Sequence, residues 1–272
     1  MENQANQNST VNDVYSVDLN CDVGESTGSQ IVGNDQVLIP LVSSANIACG
    51  GHGGDQGHIA RAVQIAIEHG VTIGAHPGYP DRENFGRRPM ELSPEQLADT
   101  LRRQLVFLAD IVSRYRGEIK YVKPHGALYH CCNVDASAAQ AVVELAQAFD
   151  PSLSMMGQAG TEFERICDQM NVHFIREAFA DRRYLKNGRL VPRSQPEAVI
   201  RDPTAAGLQA VSIVLQAKVT IDSNHEAEVI GDSICVHGDS SNAIKILRST
   251  RDMLIRAGVR IEHPQIGGSN WP

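Results

Sequence analysis

Residues 43–74 read SSANIACGGHGGDQGHIARAVQIAIEHGVTIG, and their pattern decides the fold class. A short β-type run, Ser43 to Ala48, leads into a loop in which four glycines surround His52. Ile59, Val63 and Ile67 then recur at four-residue steps, the spacing of one helix face, before a second β-type run from Val71 to Gly74. Strand, helix and strand in this order make a βα unit, which lays its strands side by side in parallel.

The same alternation extends in both directions. Further strand candidates are Tyr15 to Leu19, Glu118 to Val122, Leu153 to Met156, His173 to Arg176 and Ser233 to Val236, giving seven in all, a barrel-sized number. Leu97, Leu101, Leu105, Leu108, Val112 and Tyr115 mark a long helix after the start signal Ser93-Pro94. Val219 to Ile221 and Ala227 to Ile230 predict an antiparallel hairpin inserted before the last strand. With no linker or internal repeat, the expectation is one α/β domain over residues 14–272 behind a frayed polar tail at 1–13. That tail has no apolar segment and no basic start, so it does not read as a secretory leader.

Composition excludes several classes of function. No apolar run approaches the ~20 residues that span a bilayer. A net charge of -8 without a basic run argues against nucleic acid or an anionic membrane as partner. Six cysteines without C-x-x-C spacing, in a chain of 272 residues, predict reduced thiols in a cytoplasmic protein.

The polar residues that chemistry needs follow the strands, where the loops of a parallel α/β fold build an active-site face. In Asp18-Leu19-Asn20-Cys21-Asp22-Val23-Gly24-Glu25, strand alternation puts Asp18, Asn20 and Asp22 on one face, pointing into the barrel mouth. A blander expectation makes Asp22 and Glu25 solvated loop or capping carboxylates. Asn46 to Asp55 combines an amide, His52 and a glycine-rich turn that either cradles an anion or merely turns the chain. The turn lacks the Gly-Lys-Ser/Thr ending of a phosphate-binding loop. His76 follows the third strand, and Lys123 and His125 follow the fourth. Glu177, Asp181, Arg182 and Arg193 follow the sixth, and His237 and Asp239 the seventh. Arginine forks hold carboxylates in bidentate fashion, so Arg182 and Arg193 are candidates for gripping a small anion, whereas Arg183 reads as a surface ion pair. H-E-x-x-H and paired cysteines are missing. Asp22, His52 and His76 could still converge as a His/carboxylate site, but no metal ligand is assigned. Cys21, Cys49 and Cys235 read as packed thiols rather than nucleophiles.

In order along the chain, Asp18 to Glu25, Ser44 to Asp55, Gly74 to Asp81, Phe85 to Arg88, Lys123 to Tyr129, Glu177 to Tyr184, Gly188 to Arg193 and Cys235 to Asp239 resemble the LamB/YcsF family. The resemblance runs from about Val17 to Ile261. It implies a distorted seven-stranded parallel β/α barrel like that of polysaccharide deacetylases. It also implies cleavage of 5-oxoproline to glutamate coupled to ATP hydrolysis, with two further subunits, ATP being bound with or by those partners. Gly51 and Gly53 stand where the family pattern has Phe and Ala, which predicts a wider pocket at Gly51.

Combining residues and resemblance, the expected catalytic set is Asp22, His52, His76, Lys123, His125 and His237. The expected substrate-binding set is Asp18, Asn20, Asn46, Glu177, Asp181, Arg182 and Arg193. Asp22 or His52 would activate water, Lys123 and glycine-loop N–H groups would stabilise the oxyanion, and His125 or His237 would protonate the leaving nitrogen. Two other classes share these residues: a metal-dependent deacetylase of N-acetylated small molecules or sugars, and a non-catalytic lactam-binding or transport subunit.

Overall fold

A computed structural model describes residues 15–266, so the tail expected at 1–13 lies outside the described residues. The first strand, β1 (Ser16–Val23), sets the geometry by alternation. Val17, Leu19, Cys21 and Val23 join the main apolar core, while Asp18, Asn20 and Asp22 face the other way and bond across the sheet. The chain continues through α1 (Asp35–Leu38), β2 (Ser44–Ala48), α2 (Gln56–Glu68), β3 (Thr72–His76), α3 (Pro94–Arg114) and β4 (Ile119–Val122). Next come α4 (Gly126–Cys132), α5 (Ala136–Phe149), β5 (Ser154–Gln158), α6 (Glu162–Gln169), β6 (Phe174–Phe179) and α7 (Pro203–Gln216). It ends with β7 (Lys218–Asp222), β8 (His225–Glu228), β9 (Ser233–Cys235), α8 (Ala243–Arg256) and β10 (Arg260–Ile261).

Strands β1 to β6 pair in sequence order, and β9 pairs with β6 on one side and β1 on the other. Every one of these pairings is parallel, so seven strands close into a barrel with helices outside. All seven expected runs are strands of this barrel. Four extend further toward their carboxyl ends than an apolar criterion allows, because their last residues include Asp22, His76, Gln158 and Glu177. The two-residue β10, which pairs with the start of β1, has too little pattern to be seen in the sequence. The hairpin is present as β7 and β8, with its second arm two residues earlier than expected.

Local chemistry accounts for the helices. Ser93 and Gln96 form a reciprocal capping box at the start of α3, Pro94 occupies the first turn, and the stripe from Leu97 to Val112 is buried. Tyr115 lies beyond the last turn and is partly exposed. Helix α2 begins at Asp55, whose side chain accepts the His58 backbone N–H.

Between barrel and helices the core is apolar, but the bore is largely polar. Asp18 accepts hydrogen bonds from the hydroxyls of Ser43 at 2.6 Å, Ser44 at 2.7 Å and Ser233. Asn20 donates to Ser233 at 2.7 Å and accepts from Asn46 at 2.7 Å, and Tyr121 donates to Asn46 at 2.7 Å. Such a network is stable only when its buried groups are paired. Tyr121, Met156 and Ile175 form a separate apolar plug beside it. Gly74 is required there, since a β-carbon would lie 2.1 Å from the Tyr121 ring.

Burial pushes the Asp18 carboxyl up to about 6, against the pull of its three hydroxyl partners. A folded-state value above the unfolded 3.8 means that the native protein holds this proton across the window between them. That contribution is fully present below pH 3.8 and is lost as the pH rises through 6. From pH 4 to pH 7 the wild type should lose about 2 kcal/mol relative to Asp18→Asn. Urea unfolding of both proteins across that range measures the difference. A difference that does not change with pH would remove Asp18 as a titrating group.

Candidate functional site

A cavity of about 380 Å³ opens at the carboxyl ends of the strands. Five of the six expected catalytic residues line it: Asp22 on β1, His76 ending β3, Lys123 and His125 just after β4, and His237 after β9. The sixth, His52, lies behind that wall with its ring stacked on His125 at 3.6 Å. Of the expected substrate-binding residues only Arg182 and Arg193 line the cavity. Asp18, Asn20 and Asn46 form the polar layers beneath its floor, Glu177 is buried behind Lys123, and Asp181 is buried behind His237.

Lys123 is the centre of the floor. Its Nζ lies 2.8 Å from Asp22 Oδ1, 2.7 Å from Glu177 Oε1 and 3.4 Å from Cys235 Sγ. Burial opposes both charges of the Lys123–Asp22 pair. Lys123 and His76 nevertheless hold the Asp22 carboxyl well below its usual range, and Asp22, Cys235 and Glu177 hold the ammonium above its usual range. Asp22 is therefore not the exposed loop carboxylate of the blander expectation; it is buried and ionised.

Beside this pair stand three imidazoles and Glu25. His76 donates from Nδ1 to the Lys123 carbonyl at 2.7 Å, and His125 donates from Nε2 to the Phe85 carbonyl at 2.9 Å. Their other nitrogens, His76 Nε2 and His125 Nδ1, face each other at 3.0 Å. His52 Nε2 is 3.3 Å from Glu25 Oε1. Burial, reinforced by neighbouring imidazoles, keeps His52 and His125 well below the usual histidine range. Burial, with Asp22 and Asp239 nearby, pushes the Glu25 carboxyl well up. Glu25, His52, His76 and His125 bring possible metal-ligand atoms within 4.8 Å of one another. The set expected from sequence had Asp22 in place of Glu25 and His125.

Asp181 and His237 form a dyad on the opposite wall. His237 donates from Nδ1 to Asp181 Oδ1 at 2.9 Å and from its backbone N–H to Oδ2 at 3.1 Å, which fixes the ring and its tautomer. At the rim, Asp239 pairs with Arg87 and lies 3.8 Å from Arg193. Arg182 is tied elsewhere: it donates to the carbonyls of Ala198 at 3.3 Å and Val191 at 2.7 Å, holding the loop after β6.

The glycine-rich turn does not line the cavity. Arg82 binds the carbonyls of Gly50 at 2.7 Å and Gly54 at 2.6 Å, and Asp55 already caps the helix that follows. A β-carbon on Gly51 would lie 2.3 Å from Gln104, whose amide fills the space and binds Gly78 N–H and C=O. The expected pocket widening at Gly51 is therefore absent. Glu25, Arg87 and Asp239 line the cavity in addition to the expected sets. The sequence places Glu25 and Asp239 at strand ends, three residues after Asp22 and two after His237, so proximity to a strand end is the signal for assigning them to the site. Cys21 and Cys235 are buried with their thiols pushed well up, and burial takes Cys49 to about 12, so none is an activated nucleophile.

Removing one partner of a buried ion pair strands the other. Lys123→Met leaves Asp22 and Glu177 facing each other and should cost ~3–5 kcal/mol of stability. Asp22→Asn keeps the Glu177 partner and should cost less, about 1–3 kcal/mol. Denaturant unfolding of both variants tests the order, and the reverse order would refute the pairing.

Residues 17–267 match the family model described as LamB/YcsF. The A subunit of 5-oxoprolinase from Thermus thermophilus is 43% identical over 245 residues, covering 90% of this chain and 98% of that protein. A protein of the same name from Symbiobacterium thermophilum is 42% identical over 251 residues, covering 92% and 96%. The crystal structure of a lactam utilization protein from Thermus thermophilus superposes with a TM-score of 0.86 at 42% identity, over 91% of this chain and 99% of that one. With the barrel, the order of the site segments and these relatives in agreement, the chain belongs to the LamB/YcsF family.

Proposed function

We propose that this chain is the ring-opening subunit of an ATP-dependent 5-oxoprolinase, working with two further subunits to convert 5-oxoproline to glutamate. The observation that carries this reading is the cavity itself. A buried, charged Lys123 sits at the floor, an Asp181–His237 dyad forms one wall, and paired arginines stand at the rim. A small cyclic amide bearing one carboxylate fits that polarity: its carboxylate meets Arg193 and Arg87, and its lactam carbonyl points toward Lys123. The names of the relatives agree with this reading and favour it over a deacetylase or a transport subunit.

The lactam is resonance-stabilised, so transfer of phosphate to its oxygen precedes attack by water. His237, with its tautomer fixed by Asp181, activates that water and then protonates the departing nitrogen, which leaves γ-glutamyl phosphate; a second water hydrolyses this acyl phosphate to glutamate and inorganic phosphate. Lys123 stabilises the negative charge that develops on oxygen. Asp22 is a weak base because its carboxyl is held low; it holds Lys123 in place and lies 3.4 Å from His76. His52 does not reach the cavity and serves the wall.

The phosphate donor requires help from outside this chain. The turn at Gly50 to Gly54 has its carbonyls occupied by Arg82, and the carboxylate of Asp55 stands at the helix N-terminus where a phosphate would bind. The isolated chain should therefore bind no ATP by titration calorimetry and release no glutamate from 5-oxoproline. Adding the two further subunits should restore coupled turnover; glutamate release by the lone chain with ATP would overturn the reading. In the assembled enzyme, His237→Ala should lower kcat by about 10²–10⁴-fold. Arg193→Ala should act mainly by raising KM.

A further inference from the structure

We propose that Glu25, His76 and His125 hold one divalent first-row transition-metal ion at the cavity wall, with His52 as a positioning residue behind it. The ring protons decide which nitrogens are free. The far nitrogens of His76 and His125 each face a backbone carbonyl, an acceptor without a proton, so those nitrogens carry the ring hydrogens. In the neutral rings the near nitrogens carry bare lone pairs that oppose each other at 3.0 Å, and Asp22 Oδ2 adds a carboxylate oxygen 3.4 Å from His76 Nε2. These facing electron pairs repel unless a cation, either a proton on one ring or a metal ion, lies among them.

The spacing fits such a cation. His125 Nδ1 is 3.0 Å from His76 Nε2 and 3.6 Å from Glu25 Oε1. Metal–ligand bonds of about 2.0–2.1 Å at tetrahedral angles put ligand atoms roughly 3.3 Å apart. Carbonyl bonds on the outer nitrogens are the kind of contact that orients metal-binding imidazoles.

His52 has a different place. Its ring lies parallel to that of His125 at 3.6 Å, so the in-plane lone pairs of the two rings cannot meet at one ion. Its Nε2 faces Glu25 Oε1 at 3.3 Å and can donate there, aiming the carboxylate, while its Nδ1 is buried without a partner. Glu25, His76 and His125 line the cavity and His52 does not, so three protein ligands would leave the remaining positions open to the cavity. The ion would supply Lewis-acid polarisation of a substrate oxygen or of water. Imidazole and carboxylate donors suit Zn²⁺, Mn²⁺, Fe²⁺ or Co²⁺ rather than Ca²⁺.

The geometry of the cluster carries this site independently of 5-oxoproline as substrate. The test is to strip the purified chain with a chelator and titrate it with Zn²⁺ by calorimetry and with Co²⁺ by visible absorption. One ion per chain is expected, with the Co²⁺ spectrum of a His/carboxylate site. Glu25→Gln and His125→Ala should each weaken binding at least about tenfold, as should His52→Ala through loss of carboxylate orientation. His225→Ala, in the hairpin, should not. Circular dichroism checks that each variant is folded, and the wild-type Co²⁺ spectrum needs no variant. A featureless Co²⁺ spectrum, far less than one ion per chain, or Zn²⁺ binding unchanged in folded His125→Ala would overturn the proposal and leave a shared proton between His76 and His125.

Discussion

An ammonium group with two carboxylates around it, sealed under the mouth of a parallel barrel, constrains the rest of this protein. Lys123 cannot remain charged there unless Asp22 and Glu177 arrive from two other strands within hydrogen-bonding distance. That requirement fixes the register of β1, β4 and β6 at their carboxyl ends. It also makes the layer beneath polar, because Asp22 needs Asn46, and Asn46 in turn bonds Asn20 and Tyr121. The polar column continues to Asp18 with its three serine hydroxyls.

The column separates two kinds of packing. Outside the strands, aliphatic residues meet the helices in an apolar core. Inside, hydrogen bonds and a small plug of Tyr121, Met156 and Ile175 fill the bore. Polar networks of this kind specify geometry sharply, since a shifted side chain would leave a buried donor or acceptor unpaired. The cavity above them is therefore preorganised, with a charged floor, an Asp–His wall and arginines at the rim. Much of what the sequence presents as glycine-rich flexibility is in fact close packing: Gly74 admits Tyr121, and Gly51 admits Gln104.

Much of the fold was legible without coordinates. Short β-type runs located the seven barrel strands, most of them buried on both faces, and the hairpin, while four-residue spacing located α2 and α3, whose one buried face leaves a repeating apolar trace. The carboxyl ends of several strands were less visible, since their residues turn from apolar to polar where they enter the site. Two-residue β10 left no trace, for a strand so short has no period.

For the site, the sequence by itself determined which strand-end side chains gather: Asp22, His76, Lys123, His125 and His237 all face one cavity. It could not apportion roles among residues of the same type, because a role depends on distances between segments far apart in the chain. Only the tertiary structure placed Asp181 behind His237, tied Arg182 to backbone carbonyls, moved Asp18 and Asn20 below the floor and brought Glu25 to the imidazoles. Alternation along one strand says which residues share a face. The closure of the barrel decides how deep each lies and which charge it meets, and that depth sets whether a carboxylate is paired, protonated or free to bind.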